Sequence, residues 1–160
     1  MELYILRHGI ADDGQPGEPD SDRALTSEGK KKLRAVLKLA RFGGVNPTLV
    51  MTSPYRRAVE TATLAVEVLG CKCETLRTDA LTPAARPEAV WDELRIHKDE
   101  PQVLLAGHEP LFSGLTAYLL QSPNLQVDFK KGAIVRIDVE KFSAEPRGIL
   151  KWMLIPRLAK

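Results

Sequence analysis

The sequence predicts an α/β fold: a single-domain, three-layer sandwich over residues 1–160, in which helices flank a mostly parallel central sheet. Short apolar runs typical of buried strands alternate with segments that have the periodicity of amphipathic helices. The 160 residues are 44% hydrophobic and 28% charged, which is enough for one core and ordinary for a globular protein. Neither an internal repeat nor a linker-like stretch divides the chain, so we expect one domain.

The first half of the chain is predicted to contain three strands and two helices. A helix should follow Thr26, with one apolar face, and end at a Gly-Gly pair. A second helix should begin at Ser53-Pro54, with Ser53 as its N-cap and the proline in the first helical position, and end at Gly70. The stretch 11–25, rich in Asp, Gly and Pro, indicates a surface loop. Short apolar or β-branched runs predict strands at residues 3–6, 48–52 and 72–77.

The second half continues the alternation. A short helix is predicted around residues 87–96, a strand at 103–106, and a further helix opening at Pro110. The last two predicted strands, at 133–139 and 149–155, can pair as a hairpin.

Composition excludes several classes of protein. The chain has 23 Lys and Arg against 21 Asp and Glu, a formal net charge of +2, so we do not expect a nucleic-acid partner. No apolar run approaches the roughly 20 residues that span a bilayer, and the start MELYILRHG is unlike a signal peptide. We therefore expect a cytoplasmic protein with no membrane association. Cys71 and Cys73, separated by one residue, should be free thiols because a bridge between such close neighbours is strained.

Unusual residues follow three of the predicted strands. Because the carboxyl ends of parallel strands share one edge of a sheet, these residues should lie together there. Two of the three segments also open helices, whose free N–H groups suit an anion. The pattern predicts a phosphate site that contains histidines. The three segments are RHG at 7–9, SPYRR at 53–57 and GHEP at 107–110.

Each segment taken alone also has a plainer interpretation. Arg7 and His8 could be exposed residues at an ordinary strand end, although Gly9 permits the bend that would bring both to one ligand. Arg57, in the first turn of a helix, could fork onto phosphate oxygens, yet an arginine there is often solvated. His108 could be a capping or packed histidine.

Four motifs occur in order along the chain: LRHG at 6–9, LT at 25–26 with Gly29, TSPYRRA at 52–58 with TA at 61–62, and GHEP at 107–110. Together they resemble the histidine phosphatase superfamily, and in particular its SixA-type phosphohistidine phosphatase branch. The resemblance implies a phosphoglycerate mutase-like fold. It also implies that His8 is the nucleophile, that Arg7 and Arg57 bind the phosphoryl group, and that His108 completes the pocket. Arg23 corresponds to an extra arginine that this branch places near the phosphate.

The mechanism implied by the resemblance is two in-line displacements through a phosphohistidine on His8, without metal or cofactor. Members of the superfamily that cleave alkyl phosphate esters carry a carboxylic acid to protonate the leaving alkoxide. Residues 81–87 contain no carboxylate where that branch has one, and Glu88, Asp92 and Glu93 come later, on a predicted helix. A phosphorylated protein is therefore the expected substrate, with a phosphorelay protein as one example. A small phosphate compound is the alternative, and a monomer is the default for this size.

Several other interpretations remain open from the residues. Cys71 and Arg77 have the spacing of cysteine-dependent phosphatases, but the segment between them lacks glycine and is predicted as a strand. A metal site could use His8, His108 and Asp12 or Asp13, although the nearby arginines would repel a cation.

The chain could also be a binding module for phosphorylated ligands that does no catalysis. His97, on a charged predicted helix, is interpreted as a solvated side chain. Lys130 and Lys131 could border the pocket and help to dock an acidic protein. The residues alone do not decide whether Arg56 or Arg57 faces the ligand.

Overall fold

Six strands form one mixed sheet in the computed structural model, which describes residues 1–160. The strand order is β3-β2-β4-β1-β5-β6, and the first four of these strands run parallel. β5 is antiparallel to β1, and β6 to β5, so the predicted C-terminal hairpin is present. The strands are β1 (Glu2–Arg7), β2 (Leu49–Thr52), β3 (Glu74–Arg77), β4 (Gln102–Gly107), β5 (Ile134–Val139) and β6 (Gly148–Leu154).

Four helices cover the two faces of this sheet. Alternate residues of β1 point to opposite faces, so Leu3 and Ile5 pack with α3 and α4 while Tyr4 and Leu6 pack with α1 and α2. Two separate apolar cores result, one on each side of the sheet, which is the predicted three-layer arrangement. The helices are α1 (Ser27–Phe42), α2 (Arg56–Leu69), α3 (Pro87–Ile96) and α4 (Leu111–Leu119). None of them combines the length and apolar character that a bilayer-spanning segment requires.

Two of the predicted element boundaries are wrong. Ser53-Pro54 does not begin α2, because Tyr55 is still extended and the helix starts at Arg56. The Ser53 hydroxyl instead accepts a hydrogen bond from the Tyr55 N–H (3.2 Å), so it stabilises a turn between the strand and the helix. β3 begins at Glu74 rather than at residue 72, because the preceding residues form the loop that leaves α2.

The parallel strands bring three chain segments to one edge of the sheet. Arg7, the last residue of β1, is paired with Gly107, the last residue of β4. Thr52 at the end of β2 is paired with Ala106. The residues that follow β1, β2 and β4 are therefore neighbours at the carboxyl edge, although they are about 50 positions apart in sequence.

Candidate active site

Backbone hydrogen bonds continue past the strand ends and fix the residues that follow them. The His8 N–H donates to the Gly107 carbonyl (2.9 Å), and the Ser53 N–H donates to the Ala106 carbonyl (3.0 Å). These bonds place His8, Ser53 and His108 side by side. The rings of His8 and His108 have centroids 5.1 Å apart. The site therefore rests on the rigid sheet rather than on its loops.

The surroundings of His8 define which ring nitrogen is free to react. The side chain is buried, with 6% of its surface exposed, and its Nδ1 lies 2.7 Å from the Gly9 carbonyl oxygen. Because a carbonyl oxygen only accepts, Nδ1 carries the ring proton and Nε2 carries the lone pair. The Arg57 Nε–H donates to that Nε2 at 3.3 Å. Nε2 is thus the ring nitrogen whose lone pair could act as a nucleophile, with a guanidinium group beside it.

His108 is held by a different partner. Its Nε2 lies 2.8 Å from the Ser53 hydroxyl, which also accepts from the Tyr55 N–H. This geometry suits a hydroxyl that donates to Nε2, which leaves the ring proton on Nδ1. Nδ1 is buried and has no hydrogen-bond partner. His108 therefore offers an unused donor next to His8.

Arg7 and Arg57 add cationic donors to the same place. Arg57 is 4% exposed, and its two terminal nitrogens contact the backbone oxygen (2.8 Å) and the carboxylate (3.0 Å) of Asp20. Arg7 donates from one terminal nitrogen to the Phe129 carbonyl (2.5 Å), while its Nε is buried without a partner. The Arg7 Nε and the Nδ1 of His108 are the only buried side-chain polar atoms of the chain without a partner. Buried donors are normally satisfied, so an oxyanion bound here would complete both.

Burial and positive charge keep the histidines neutral. Desolvation is the main cause that lowers the pKa of His8 to about 4, and the charges of Arg57, Arg7 and Lys131 lower it further, against a raising effect of the bond to Gly9. Burial also lowers the pKa of His108 to about 3, helped by His8 and the arginines. A neutral imidazole is the nucleophilic form, so both the tautomer and the charge state suit attack by Nε2.

The carboxylates near the site are already engaged. Partial burial alone would raise the pKa of Asp20, but its bonds to Arg57 and Arg23 outweigh this and hold the pKa below its ordinary value. Asp20 is therefore ionised at neutral pH and cannot donate a proton. Glu109 accepts hydrogen bonds from the N–H and the hydroxyl of Ser113 at the start of α4. Neither group is placed as a free acid.

The remaining predicted residues divide between the site and the surface. Arg23 does not contact His8 or His108. It pairs with Asp20 (2.7 Å), which also pairs with Arg57, and it donates to the Asp12 carbonyl (3.0 Å). Arg56 lies on the surface of α2 and pairs with Glu60 (3.0 Å), so Arg57 is the arginine against His8.

Sequence reasoning missed the roles of Asp20 and of Ser53. For Asp20, the only local indication was its position three residues before Arg23, with which a carboxylate can pair. For Ser53 the local pattern indicated a cap, whereas its structural partner is His108, which lies 55 positions away.

The competing sites are not assembled. Cys71 is buried in the loop before β3 and Arg77 lies at the carboxyl end of that strand, so the extended strand separates them and no loop encloses a phosphate between them. Cys71 and Cys73 are free thiols. No three His, Cys, Asp or Glu side chains form a cluster that could hold a metal ion. His97 lies at the end of α3, away from the three strand ends.

Comparisons with known proteins agree with this geometry. The sequence profile of the histidine phosphatase superfamily (branch 1) matches residues 3–82. An uncharacterized protein of Picosynechococcus sp. strain PCC 7002 is 32% identical over 111 residues, which cover 69% of this chain and 67% of that protein. The chain belongs to the histidine phosphatase superfamily, whose members are phosphatases with a histidine nucleophile.

Solved structures place it in the SixA-like branch. The protein histidine phosphatase SixA complexed with tungstate superposes with a TM-score of 0.88 and 26% identity, covering 100% of both chains. A candidate phosphohistidine phosphatase SixA of Agrobacterium tumefaciens has a TM-score of 0.82 and 22% identity over 97% of both chains. A candidate alpha-ribazole-5'-P phosphatase of Escherichia coli, 17% identical with a TM-score of 0.76 over 98% of both chains, shares the phosphoglycerate mutase-like fold.

Proposed function

We propose that this protein is a phosphohistidine phosphatase that removes the phosphoryl group from a histidine of another protein. The observation that carries the proposal is an unprotonated His8 Nε2 in a site whose nearby carboxylates are already engaged, Asp20 by arginines and Glu109 by Ser113. Such a site can attack and stabilise a phosphoryl group, but it gives no help to a leaving group that must be protonated. The superposition on the SixA phosphatase at 26% identity supports the same substrate class.

The leaving group decides between the substrate classes. An alkyl phosphate ester releases an alkoxide, which needs a general acid to depart at neutral pH. The nitrogen of a phosphohistidine leaves as a neutral imidazole when its other ring nitrogen carries a proton, so it needs no general acid in the enzyme. After β3, the first two carboxylates are Asp79 and Glu88; both are exposed, and Glu88 lies 3.6 Å from Arg86. Asp20 is ionised and occupied by two arginines. The composition of the site therefore favours cleavage of a P–N bond.

The reaction proceeds in two displacements. In the first, the Nε2 lone pair of His8 forms a bond to phosphorus as the P–N bond of the substrate breaks, and the electron pair leaves with the substrate imidazole. In the second, water attacks the same phosphorus and orthophosphate departs, which restores His8. The charge on the transferring oxygens is met by Arg7, Arg57 and the Nδ1–H of His108. No step requires a metal ion, so a chelator should leave the activity unchanged.

A hydrolysis panel tests the proposal. The substrates are a phosphohistidine protein, a sugar phosphate and an aryl phosphate, assayed with the wild type and with His8→Ala. We expect turnover of the phosphohistidine substrate, a loss of at least about a thousandfold in His8→Ala, and radiolabel on His8 after rapid quenching. Cys71→Ser is the matched control and should retain activity.

Other outcomes of the panel would overturn the proposal. Fast hydrolysis of the sugar phosphate without turnover of phosphohistidine would make the protein a small-molecule phosphomonoesterase. Binding of phosphohistidine protein without label or turnover would make it a non-catalytic binding module.

A further inference from the structure

A cationic cleft of about 620 Å³ adjoins the candidate active site and shares Arg7 with it. Four further cations line it, and no acidic residue does. Its apolar lining consists of Ile10, Ile155 and Pro156. The cations are Lys32, Lys130, Lys131 and Arg157. A larger cavity of about 810 Å³ runs along α1, but it contains none of the residues that meet at the strand ends.

Backbone hydrogen bonds connect the turn that lines this cleft to Arg7 and His8. The Gly132 N–H lies within hydrogen-bond distance of the carbonyls of Arg7 (3.2 Å) and His8 (3.0 Å), and the Arg7 N–H donates to the Ala133 carbonyl (3.0 Å). Gly132 has φ +77, a conformation that favours glycine, and a Cβ added there would lie 3.3 Å from the Pro156 side chain. The turn that presents Lys130 and Lys131 is therefore held in a constant position beside the phosphoryl site.

Two of the cations have no partner within the chain. Lys32 pairs with Glu28 (2.6 Å) and Lys130 with Asp128 (2.7 Å). Lys131 and Arg157 are exposed and belong to none of the ion pairs of the chain. Unpaired positive charges close to a phosphoryl site attract anions in addition to the phosphoryl group itself.

We infer that this cleft docks the acidic surface around the phosphohistidine of a protein substrate, with Lys131 and Arg157 contacting its carboxylates. The inference rests on the proposed function and names the chemistry that recognises the substrate. A lining that combines apolar side chains with cations fits a protein surface that mixes apolar side chains and carboxylates. A second phosphate would favour convergent backbone N–H groups or paired arginines, whereas this cleft presents mainly lysines.

A pair of synthetic peptides tests the inference. One carries a single phosphohistidine flanked by four glutamates, and the other has four glutamines in their place. For the wild type at low salt, two new surface ion pairs should give the glutamate peptide about a tenfold advantage in kcat/KM. The advantage should shrink as salt rises. The double variant Lys131→Ala/Arg157→Ala should bring the ratio close to one.

Lys72→Ala is the matched control, because this lysine lies in the loop before β3, at the opposite edge of the sheet; it should keep the wild-type ratio. An unchanged ratio in the double variant would overturn the docking inference while leaving the proposed function intact. The docking inference would also be overturned if the double variant weakened inhibition by inorganic pyrophosphate without changing the peptide ratio. In that case the cleft would bind a second phosphate. Failure of the wild type to hydrolyse either peptide would overturn both proposals.

Discussion

At the scale of single residues, the site is built from groups whose hydrogen bonds determine their chemical state. The Gly9 carbonyl fixes the proton of His8 on Nδ1, and the Ser53 hydroxyl suits a proton on Nδ1 of His108. The same ring nitrogen is thus protonated in both histidines, yet in the proposed reaction one ring is the nucleophile and the other a donor. The difference comes entirely from their partners, because the side chains are identical.

The protonation states of these histidines give a prediction that NMR can check. Since burial and neighbouring cations lower the pKa values of His8 and His108 to about 4 and about 3, both rings should remain neutral at pH 6. The Cε1–H signals of the chain's three histidines, followed from pH 7 to 3.5, should show no midpoint near 6.5 for these two. Assignment uses His8→Ala, and a midpoint near 6.5 for either ring would contradict the electrostatic account.

The lowered pKa values of His8 and His108 also determine the direction in which the free energy of unfolding changes with pH. Between pH 6.5 and about 4 the unfolded chain binds protons at both histidines while the folded chain does not. The free energy of unfolding should therefore fall as the pH drops through this range, by at most about 1.4 kcal/mol per histidine and pH unit. Melting temperatures of wild type and His8→Ala, compared over the range, should show a shallower decline in the variant.

At the scale of secondary-structure elements, the sequence predicted most of the fold because the signals there are local. The periodicity of α1 and α3, the N-cap of α1 and the apolar runs of β1 and β4 are local signals, so the positions of these elements follow to within a residue or two. Ser53 was misinterpreted because its local pattern is that of a cap, whereas its partner His108 lies on another strand end. Asp20 escaped notice for the same reason, since Arg57 lies 37 positions away.

Close packing between α1 and the segment after β1 gives a prediction at this scale. A Cβ on Gly29 would lie 2.2 Å from the Ile10 carbonyl oxygen, and backbone cannot yield as a side chain can. Gly29→Ala should therefore lower the free energy of unfolding by about 1–3 kcal/mol. It should also reduce kcat, because Ile10 follows the Gly9 carbonyl that orients His8. Urea unfolding and activity assays measure the two effects.

Gly114→Ala is the matched control for that substitution. Gly114 also lies in a helix, but a Cβ there would meet only Pro87 at an ordinary 3.5 Å. Helix propensity should then raise the free energy of unfolding by up to about 1 kcal/mol. Equal effects of the two substitutions would show that the contact with Ile10 does not constrain the site.

At the scale of the whole molecule, the site joins segments that the fold brings together from most of the chain. Arg7 and His8 follow the first strand, Asp20 lies in the long loop, Arg57 belongs to α2, and His108 follows β4. Because these segments come together only in the folded state, an oxyanion that satisfies the Arg7 Nε and the His108 Nδ1 binds the folded chain and not the unfolded one. Ligand binding and global stability are therefore linked.

This linkage predicts that tungstate raises the melting temperature. At 100 times its dissociation constant, one bound oxyanion adds about 2.7 kcal/mol, which corresponds to roughly 5–10 °C for a domain of this size. Arg57→Ala should lose most of the shift, since it removes the guanidinium beside His8, whereas Lys72→Ala should keep it. Sodium chloride at equal ionic strength controls for screening. A shift of the same size in Arg57→Ala would mean that tungstate binds elsewhere. The residues at the three strand ends would then not form the oxyanion site.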